Sequence, residues 1–201
     1  QESASNLIRE AITEKVSSVK LSPENKTKLI DLLFKYRDVF SDEPGECKTY
    51  TAKLRFKNSK HFIKMSFPIP FAKKEPVRAE INRMLKLGII ERSSSPYSNP
   101  IVPAVNRDGS VRLCLDARNL NKKFISDTES PEPIESLLNK FSNPRYISTL
   151  DCTAGLWQIP LHPDSRDAVS FSYEGRNYRF CRLPFGLCVS MQMFGKAMDT
   201  V

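Results

Sequence analysis

Residues 147–161, Ile-Ser-Thr-Leu-Asp-Cys-Thr-Ala-Gly-Leu-Trp-Gln-Ile-Pro-Leu, constrain the fold most, because they place one carboxylate in an otherwise apolar and hydroxyl-bearing stretch. The β-branched residues favour a strand, and Gly155 and Pro160 predict a turn and a short irregular piece after it. We therefore expect Asp151 at the end of a buried strand. An aspartate there either caps a turn or helps to hold a divalent metal for phosphoryl transfer.

The charge distribution indicates where an anionic partner would bind. The chain has 201 residues, 40% of them hydrophobic, which is enough for one large or two small domains with a core, and a net charge of +8. Residues 46–125 hold 17 Lys/Arg and 6 Asp/Glu, a net of +11, whereas residues 126–201 hold 7 and 9, a net of −2. This pattern is typical of a nucleic-acid surface beside a metal site; a solvated basic face is the alternative.

The cysteines and the apolar runs limit the class of protein. The five cysteines are odd in number and form no C-x-x-C pair, so we predict neither a disulfide framework nor a zinc site, and a reducing environment. No run approaches the roughly 18 apolar residues of a membrane span, and the amino end has no signal-peptide pattern. We expect no membrane partner.

Hydrophobic spacing predicts several helices. One begins with Ser22 as its cap and Pro23 in the first helical position. Another is expected from Pro76 to Leu87, ended by Gly88. Further helices are predicted over residues 6–19 behind Ser5 as a cap, over residues 134–141, from His162-Pro163-Asp164, and in the last residues behind Ser190 as a cap.

Two hairpins are predicted. Ile101–Val105 and Val111–Leu115 flank a turn in which Asp108-Gly109 supplies the positive backbone angles of a tight hairpin. Residues 168–173 are expected to pair with residues 178–183 across Glu174-Gly175. Residues 51–65 carry six basic residues, His61 included, and are predicted to be an exposed extended segment or edge strand.

Six motifs in a fixed order carry a resemblance to a known family. They are Leu87-Gly88-Ile89-Ile90-Glu91, Ser95-Pro96-Tyr97-Ser98-Asn99-Pro100, Arg107-Asp108-Gly109-Ser110, Asp116-Ala117-Arg118-Asn119-Leu120-Asn121, Leu150-Asp151 with Gly155 and Trp157-Gln158-Ile159-Pro160-Leu161, and Leu183-Pro184-Phe185-Gly186-Leu187. Together, over residues 40–201, they resemble the reverse transcriptase of Ty3/Gypsy-type LTR retrotransposons. The resemblance implies an α+β, right-hand polymerase fold.

The resemblance also implies a domain order and site residues. Residues 1–50 would be a helical connector between protease and polymerase, residues 51–125 a basic fingers-like region with a β-hairpin, and residues 126–201 the first half of the palm. Asp151 would be catalytic and a metal ligand, with two Mg²⁺ ions in the complete enzyme. The implied nucleotide-binding residues are Arg107, Arg112, Cys152, Leu156, Phe185 and Gly186.

The implied function is that of an RNA-directed DNA polymerase. Its partners would be a primer on an RNA or DNA template, dNTPs, and the remainder of the Pol polyprotein with the rest of the palm, the thumb and RNase H. The resemblance places such a protein in a cytoplasmic virus-like particle or in the nucleus.

Departures from the family pattern affect what this chain can do. The family has Tyr or Phe at Leu156, where a ring lies under the sugar, and an Ala-Pro pair where this chain reads Cys188-Val189-Ser190-Met191. Its Tyr-x-Asp-Asp motif does not occur in these residues. Asp151 alone supplies one carboxylate to a site that needs about three, so we do not expect this chain by itself to polymerise.

Two alternatives remain open. The chain could be a truncated or domesticated remnant that binds nucleic acid or a protein without catalysis, which predicts salt-sensitive binding without a Mg²⁺ requirement. It could also be an inert pseudogene product, which predicts exposed apolar sheet edges and aggregation.

Overall fold

The computed structural model describes residues 2–58, 60–106, 109–125, 133–141, 143–145 and 147–200. They form two compact units, one up to Glu43 and one from Pro44 onward. In this part of the chain, no helix combines the length and the apolar character needed to traverse a bilayer.

The first unit is helical. It contains α1 (Glu2–Ser17), α2 (Pro23–Lys35) and a 3₁₀ turn (Arg37–Val39). The predicted start of α2 is confirmed, since the Ser22 hydroxyl accepts a hydrogen bond from the Asn25 N–H at 3.3 Å. The predicted cap at Ser5 is wrong, because α1 already begins at Glu2 and Ser5 lies inside it. Glu and Ala, which precede Ser5, favour helix themselves.

The second unit combines helices with antiparallel strands. Its helices are α3 (Phe71–Lys86), α4 (Arg118–Asn121), α5 (Ile134–Asn139), α6 (Pro163–Arg166) and α7 (Ser190–Met198), with 3₁₀ turns at Gly155–Gln158 and Asp167–Val169. Its strands are β1 (Ile90–Arg92), β2 (Ile101–Val105), β3 (Val111–Leu115), β4 (Ser170–Tyr173) and β5 (Arg176–Phe180). Strands β1, β5 and β4 form a sheet in that order, and β2 pairs with β3.

Both predicted hairpins are confirmed. Ile101 lies opposite Leu115, as two equal strands around residues 106–110 require. In the second hairpin Tyr173 lies opposite Arg176. The strands are Ser170–Tyr173 and Arg176–Phe180, so the first begins two residues later than predicted, and the second begins two residues and ends three residues earlier. The connecting Glu174 and Gly175 both have positive φ, 46° and 72°, which matches the twist of a tight hairpin.

The core lies between α3, the strands and the 3₁₀ turn at Gly155–Gln158. Val77, Ile81 and Met84 form the buried face of α3. Trp157 and Phe171 are among the largest fully buried side chains. Each such side chain stabilises the fold by about 1.5–3 kcal/mol through the apolar surface that it removes from water.

Two predicted helix starts in this unit are wrong. Helix α3 begins at Phe71, so Pro76 lies inside it, where it cannot donate the usual backbone hydrogen bond. Burial of Val77 and Ile81 compensates for that loss. Ser190 is the first residue of α7 and not its cap, and its buried hydroxyl donates to the Pro184 carbonyl at 3.2 Å.

The predicted strand that ends at Asp151 is also absent. The described residues between 147 and 152 pair with neither sheet, and Ile147 and Leu150 are 69% and 85% exposed. A β-strand needs a neighbour for its backbone hydrogen bonds, and no described strand lies beside this segment. The β-branched residues alone therefore do not produce a strand here.

Asp116, directly after β3, is held by two basic side chains. Arg118 donates to its two oxygens at 2.8 and 2.7 Å, and Lys64 lies 3.7 Å away. The hydrogen bonds from Arg118 and its charge lower the pKa of Asp116 from 3.8 to about 2. The ionised carboxylate therefore stabilises the folded state fully above pH 3.8, and this contribution is lost as the pH falls towards 2.

We expect Asp116→Asn to lower the free energy of unfolding near pH 6 by about 1 kcal/mol, since Arg118 is exposed and its charge is screened. The difference from the wild type should shrink between pH 4 and pH 2, as measured by urea unfolding across that range. Asp164→Asn is the matched control, because the Asp164 side chain is 66% exposed and its contacts with Lys53 and with His162 Nδ1 both lie at the surface. A deficit in Asp116→Asn that is equal at pH 6 and pH 2 would contradict the electrostatic explanation.

Candidate active site

A cleft of about 420 Å³ brings together α3, the β2–β3 hairpin, the segment around Asp151 and the turn at Phe185. Its lining residues are Glu80, Arg83, Asn106, Ser110, Val111, Arg112, Asp151, Cys152, Ala154, Gly155, Trp157 and Phe185. Four of the predicted site residues, Asp151, Arg112, Cys152 and Phe185, therefore lie in one cleft although they are far apart in sequence.

Asp151 is exposed in this cleft. Its carboxylate is not sealed in the core, as it would be on a buried strand. The residues that follow turn sharply: Ala154 has φ of 46°, in the left-handed region that is costly for a residue with a side chain. Such strain persists only where the surrounding structure holds it, and here Trp157 N–H donates to the Ala154 carbonyl at 2.7 Å.

A side chain at position 155 would displace Phe194, because α7 packs closely against the turn. A Cβ atom there would lie 2.9 Å from Cε2 of Phe194 and 3.3 Å from Cβ of Cys152. The Gln158 side chain also donates to the Thr153 carbonyl at 2.9 Å. The turn that carries Cys152 and Trp157 into the cleft is thus fixed on both sides.

Arg112 extends from β3 over an aromatic ring. Its guanidinium carbon lies 5.1 Å from the centre of the Phe185 ring, and its Nη2 donates to Asn106 Oδ1 at 3.5 Å. A cation over the face of an aromatic ring is attracted to it electrostatically. Arg112 therefore presents a positioned positive charge to the cleft.

Two predicted site residues support the cleft without lining it. Leu156 is half-buried and packs against the core. Gly186 has φ of +110°, and Asn121 donates to its carbonyl at 3.1 Å. Because the backbone N–H of Leu115 also donates to the Phe185 carbonyl at 2.9 Å, this turn holds Phe185 against β3. Arg107 lies outside the described residues.

The cleft also contains two charged residues of α3 that the sequence did not assign to this site, although Arg83 was predicted to lie on the outward basic face of that helix. Glu80 and Arg83 form an ion pair along α3, with Nε to Oε2 at 2.8 Å and Nη2 to Oε1 at 2.9 Å. Their spacing of three residues is the only signal in sequence, and it does not reveal that this face of the helix lines the cleft.

The cleft does not by itself meet the requirements of a two-metal centre. Among the described residues there is no group of three His, Cys, Asp or Glu side chains that could hold a metal. Asp151 and Glu80 are the described carboxylates in the cleft, and Arg83 binds both oxygens of Glu80. Asp151 offers one hard oxygen ligand, whereas Mg²⁺ sites use several.

The chain resembles curated Pol polyproteins along most of its length. It is 32% identical over 182 residues to the retrovirus-related Pol polyprotein from transposon 412 of Drosophila melanogaster, covering 86% of this chain and 15% of the relative. It is 34% identical over 157 residues to that from transposon gypsy, also of Drosophila melanogaster, covering 75% and 15%. The chain belongs to the Pol polyproteins of gypsy-type retrotransposons. No family model matches it.

Solved structures confirm the fold of this Pol segment. The foamy viral protease–reverse transcriptase in complex with double-stranded DNA has a TM-score of 0.85 and 24% identity, covering 94% of this chain and 34% of that one. The same kind of enzyme in complex with an RNA/DNA hybrid has a TM-score of 0.84 and 23% identity, covering 94% and 26%. The predicted reverse-transcriptase-like α+β fold is therefore correct. The division at residues 50 and 125 stays a prediction.

Proposed function

We propose that this Pol segment forms the fingers and part of the palm of an RNA-directed DNA polymerase, and that its cleft binds the incoming nucleotide. The observation that supports this most is the convergence of Asp151, Arg112 and Phe185 from three separate segments. Carboxylates that hold metal ions and cationic side chains that bind phosphate recur in sites of phosphoryl transfer, and an aromatic ring can hold the cation in place. The complete polymerase would use dNTPs and two Mg²⁺ ions.

Each residue of the cleft has a distinct proposed role. Arg112 would bind phosphate oxygens, for which the planar guanidinium is suited because it can donate two parallel hydrogen bonds. Phe185 would hold Arg112 and contact the nucleotide, and Cys152 and Leu156 would shape the space beside it. Asp151 would supply one oxygen ligand to a divalent metal, which stabilises charge on the reacting phosphate when bound. The remaining ligands would come from outside the described residues.

The proposed nucleic-acid partner is a primer on an RNA or DNA template. The net charge of +11 in residues 46–125 supports this, since phosphate contacts depend on Lys and Arg. The solved relatives bind double-stranded DNA and an RNA/DNA hybrid. The rest of Pol would complete the palm, thumb and RNase H, in a cytoplasmic virus-like particle or in the nucleus.

A second candidate function is nucleic-acid binding without catalysis. It is favoured by the single carboxylate that the described residues offer to a metal in the cleft. It predicts that the 201-residue chain binds RNA or DNA with an affinity that falls steeply with salt and does not depend on Mg²⁺. An affinity that does not change with ionic strength would exclude it.

The polymerase proposal is tested by Arg112→Gln in the full-length protein that contains this chain. We expect the Kd for dNTP in single-turnover primer extension to rise at least about tenfold, because a charge-assisted contact to phosphate is lost. Arg92→Gln is the matched control, since Arg92 also lies over an aromatic ring, Tyr178 at 4.5 Å, but does not line the cleft. Absence of template-dependent extension by the wild type would overturn the proposal.

A further inference from the structure

A second guanidinium group reaches the cleft from α3. Arg83 lines the cleft together with Arg112, and 46% of its side chain is exposed. Among the described lining residues, these two arginines are the only cations, and they come from separate elements, α3 and β3. The cleft thus combines two positive groups that lie far apart in sequence.

Glu80 fixes the plane of the Arg83 guanidinium. Two parallel hydrogen bonds, of 2.8 and 2.9 Å, join the two side chains, and only 10% of the Glu80 side chain is exposed. Because the carboxylate is almost buried and the guanidinium is not, the cation is the partner that an anion in the cleft would meet first. This geometry is specific to arginine, since lysine has no planar fork.

Trp157 also contacts Arg83. The guanidinium carbon of Arg83 lies 5.6 Å from the centre of the Trp157 ring, and the indole is 2% exposed. The Trp157 ring lies 5.7 Å from that of Phe185, over which Arg112 is held. The cleft therefore contains two arginine–aromatic pairs whose rings adjoin, and both arginines line the same cleft.

We propose that Arg83 is a second phosphate-binding residue for the triphosphate of the incoming nucleotide, acting beside Arg112; this inference rests on the proposed function of the cleft. A triphosphate carries several negative charges, and Arg83 adds guanidinium donors to those of Arg112 although Glu80 offsets part of its charge. An arginine that is already held in place loses little side-chain freedom on binding. Glu80 and Trp157 are its positioning residues.

The test is single-turnover nucleotide incorporation by the full-length polymerase. Arg83→Gln is expected to raise the Kd for dNTP about tenfold, with an unchanged Kd for the primer–template. Arg83→Lys keeps the charge but not the two-pronged bond to Glu80, so its Kd for dNTP should lie between those of the wild type and Arg83→Gln. If Arg83→Gln does not fold, Arg83→Lys carries the test.

Arg78→Gln is the matched control on the same helix. Arg78 pairs with Glu75 at 2.8 Å, three residues before it, as Arg83 pairs with Glu80, but it lies outside this cleft. Its replacement should leave the Kd for dNTP unchanged within about twofold. Three results would each overturn the inference. They are an equal rise of the Kd for dNTP in Arg78→Gln, an unchanged Kd for dNTP in Arg83→Gln, and a Kd in Arg83→Gln that rises for the primer–template instead of for dNTP.

Asp151→Asn, measured in parallel, separates this inference from the proposed function. If Asp151→Asn still extends the primer, the polymerase assignment of the cleft fails, and the inference about Arg83 fails with it. If Asp151→Asn loses extension while Arg83→Gln binds dNTP like the wild type, only the role of Arg83 is refuted.

Discussion

Asp151→Asn in the full-length protein that contains this chain is expected to reduce primer extension to below about one-hundredth of the wild-type rate, while the affinity for primer–template stays within about twofold. We expect a rate loss of this size because Asp151 would act on the charge of the reacting phosphate through the metal ion that it helps to hold. Asparagine keeps the size of the side chain but removes the negative charge, and with it the ability to hold a hard divalent cation. Because Asp151 is exposed, the substitution should not disturb packing.

The measurement is single-nucleotide extension of a labelled primer, with thermal unfolding of the same variant as a check on folding. Asp199→Asn is the matched control, since Asp199 is also exposed but does not line the cleft. Extension by Asp151→Asn at the wild-type rate would refute a role for this carboxylate in the chemistry. An equal loss of primer extension in Asp151→Asn and Asp199→Asn would indicate a general effect of removing a negative charge.

Gly186→Ala is expected to lower the free energy of unfolding of the 201-residue chain by about 3–5 kcal/mol. Two effects act together. The φ of +110° at Gly186 is unfavourable for any residue with a side chain, and a Cβ atom would lie 2.1 Å from the carbonyl oxygen of Leu115. The oxygen belongs to the backbone of β3, so it cannot move aside as the end of a flexible side chain could. The free energy of unfolding of natural domains is about 5–15 kcal/mol in total, so Gly186→Ala would remove much of the stability.

Gly175→Ala separates these two effects. Gly175 also has a positive φ, of +72°, but a Cβ atom there would have no neighbour within 4 Å. We expect a loss of only about 1–2 kcal/mol, from backbone conformation alone, in urea unfolding of both variants. If the two substitutions destabilise the chain equally, the close approach of Gly186 to β3 contributes nothing.

Local chemistry made several elements predictable. Ser22 and Pro23 start α2 through local effects. The Ser22 hydroxyl accepts a hydrogen bond from a backbone N–H of the first turn, and the ring of Pro23 fixes φ at a helical value. Asp108-Gly109 and Glu174-Gly175 predict hairpins for the same reason, since only the turn residues themselves must adopt positive φ. These predictions depend on interactions between residues close in sequence, and the structure confirms the helix start and both hairpins.

Other elements depended on partners that are distant in sequence. The segment before Asp151 has strand-forming residues but no described strand beside it, and α3 continues through Pro76 because its apolar face is buried. Neither outcome can be calculated from neighbours in the chain. In both cases tertiary contacts decide whether the local preference is realised.

The candidate site also combines features that the sequence predicts with features that depend on tertiary contacts. By itself, the sequence was sufficient to single out Asp151 and Phe185, which lie in motifs that resemble those of a polymerase family, and Arg112, which matches the family's triphosphate-contacting position between two such motifs. The pairs Glu75–Arg78 and Glu80–Arg83 have the same spacing on α3, and this spacing does not distinguish them. Only the tertiary structure decided that the second pair lines the cleft, because packing of the apolar face of α3 sets which of its polar faces meets Trp157.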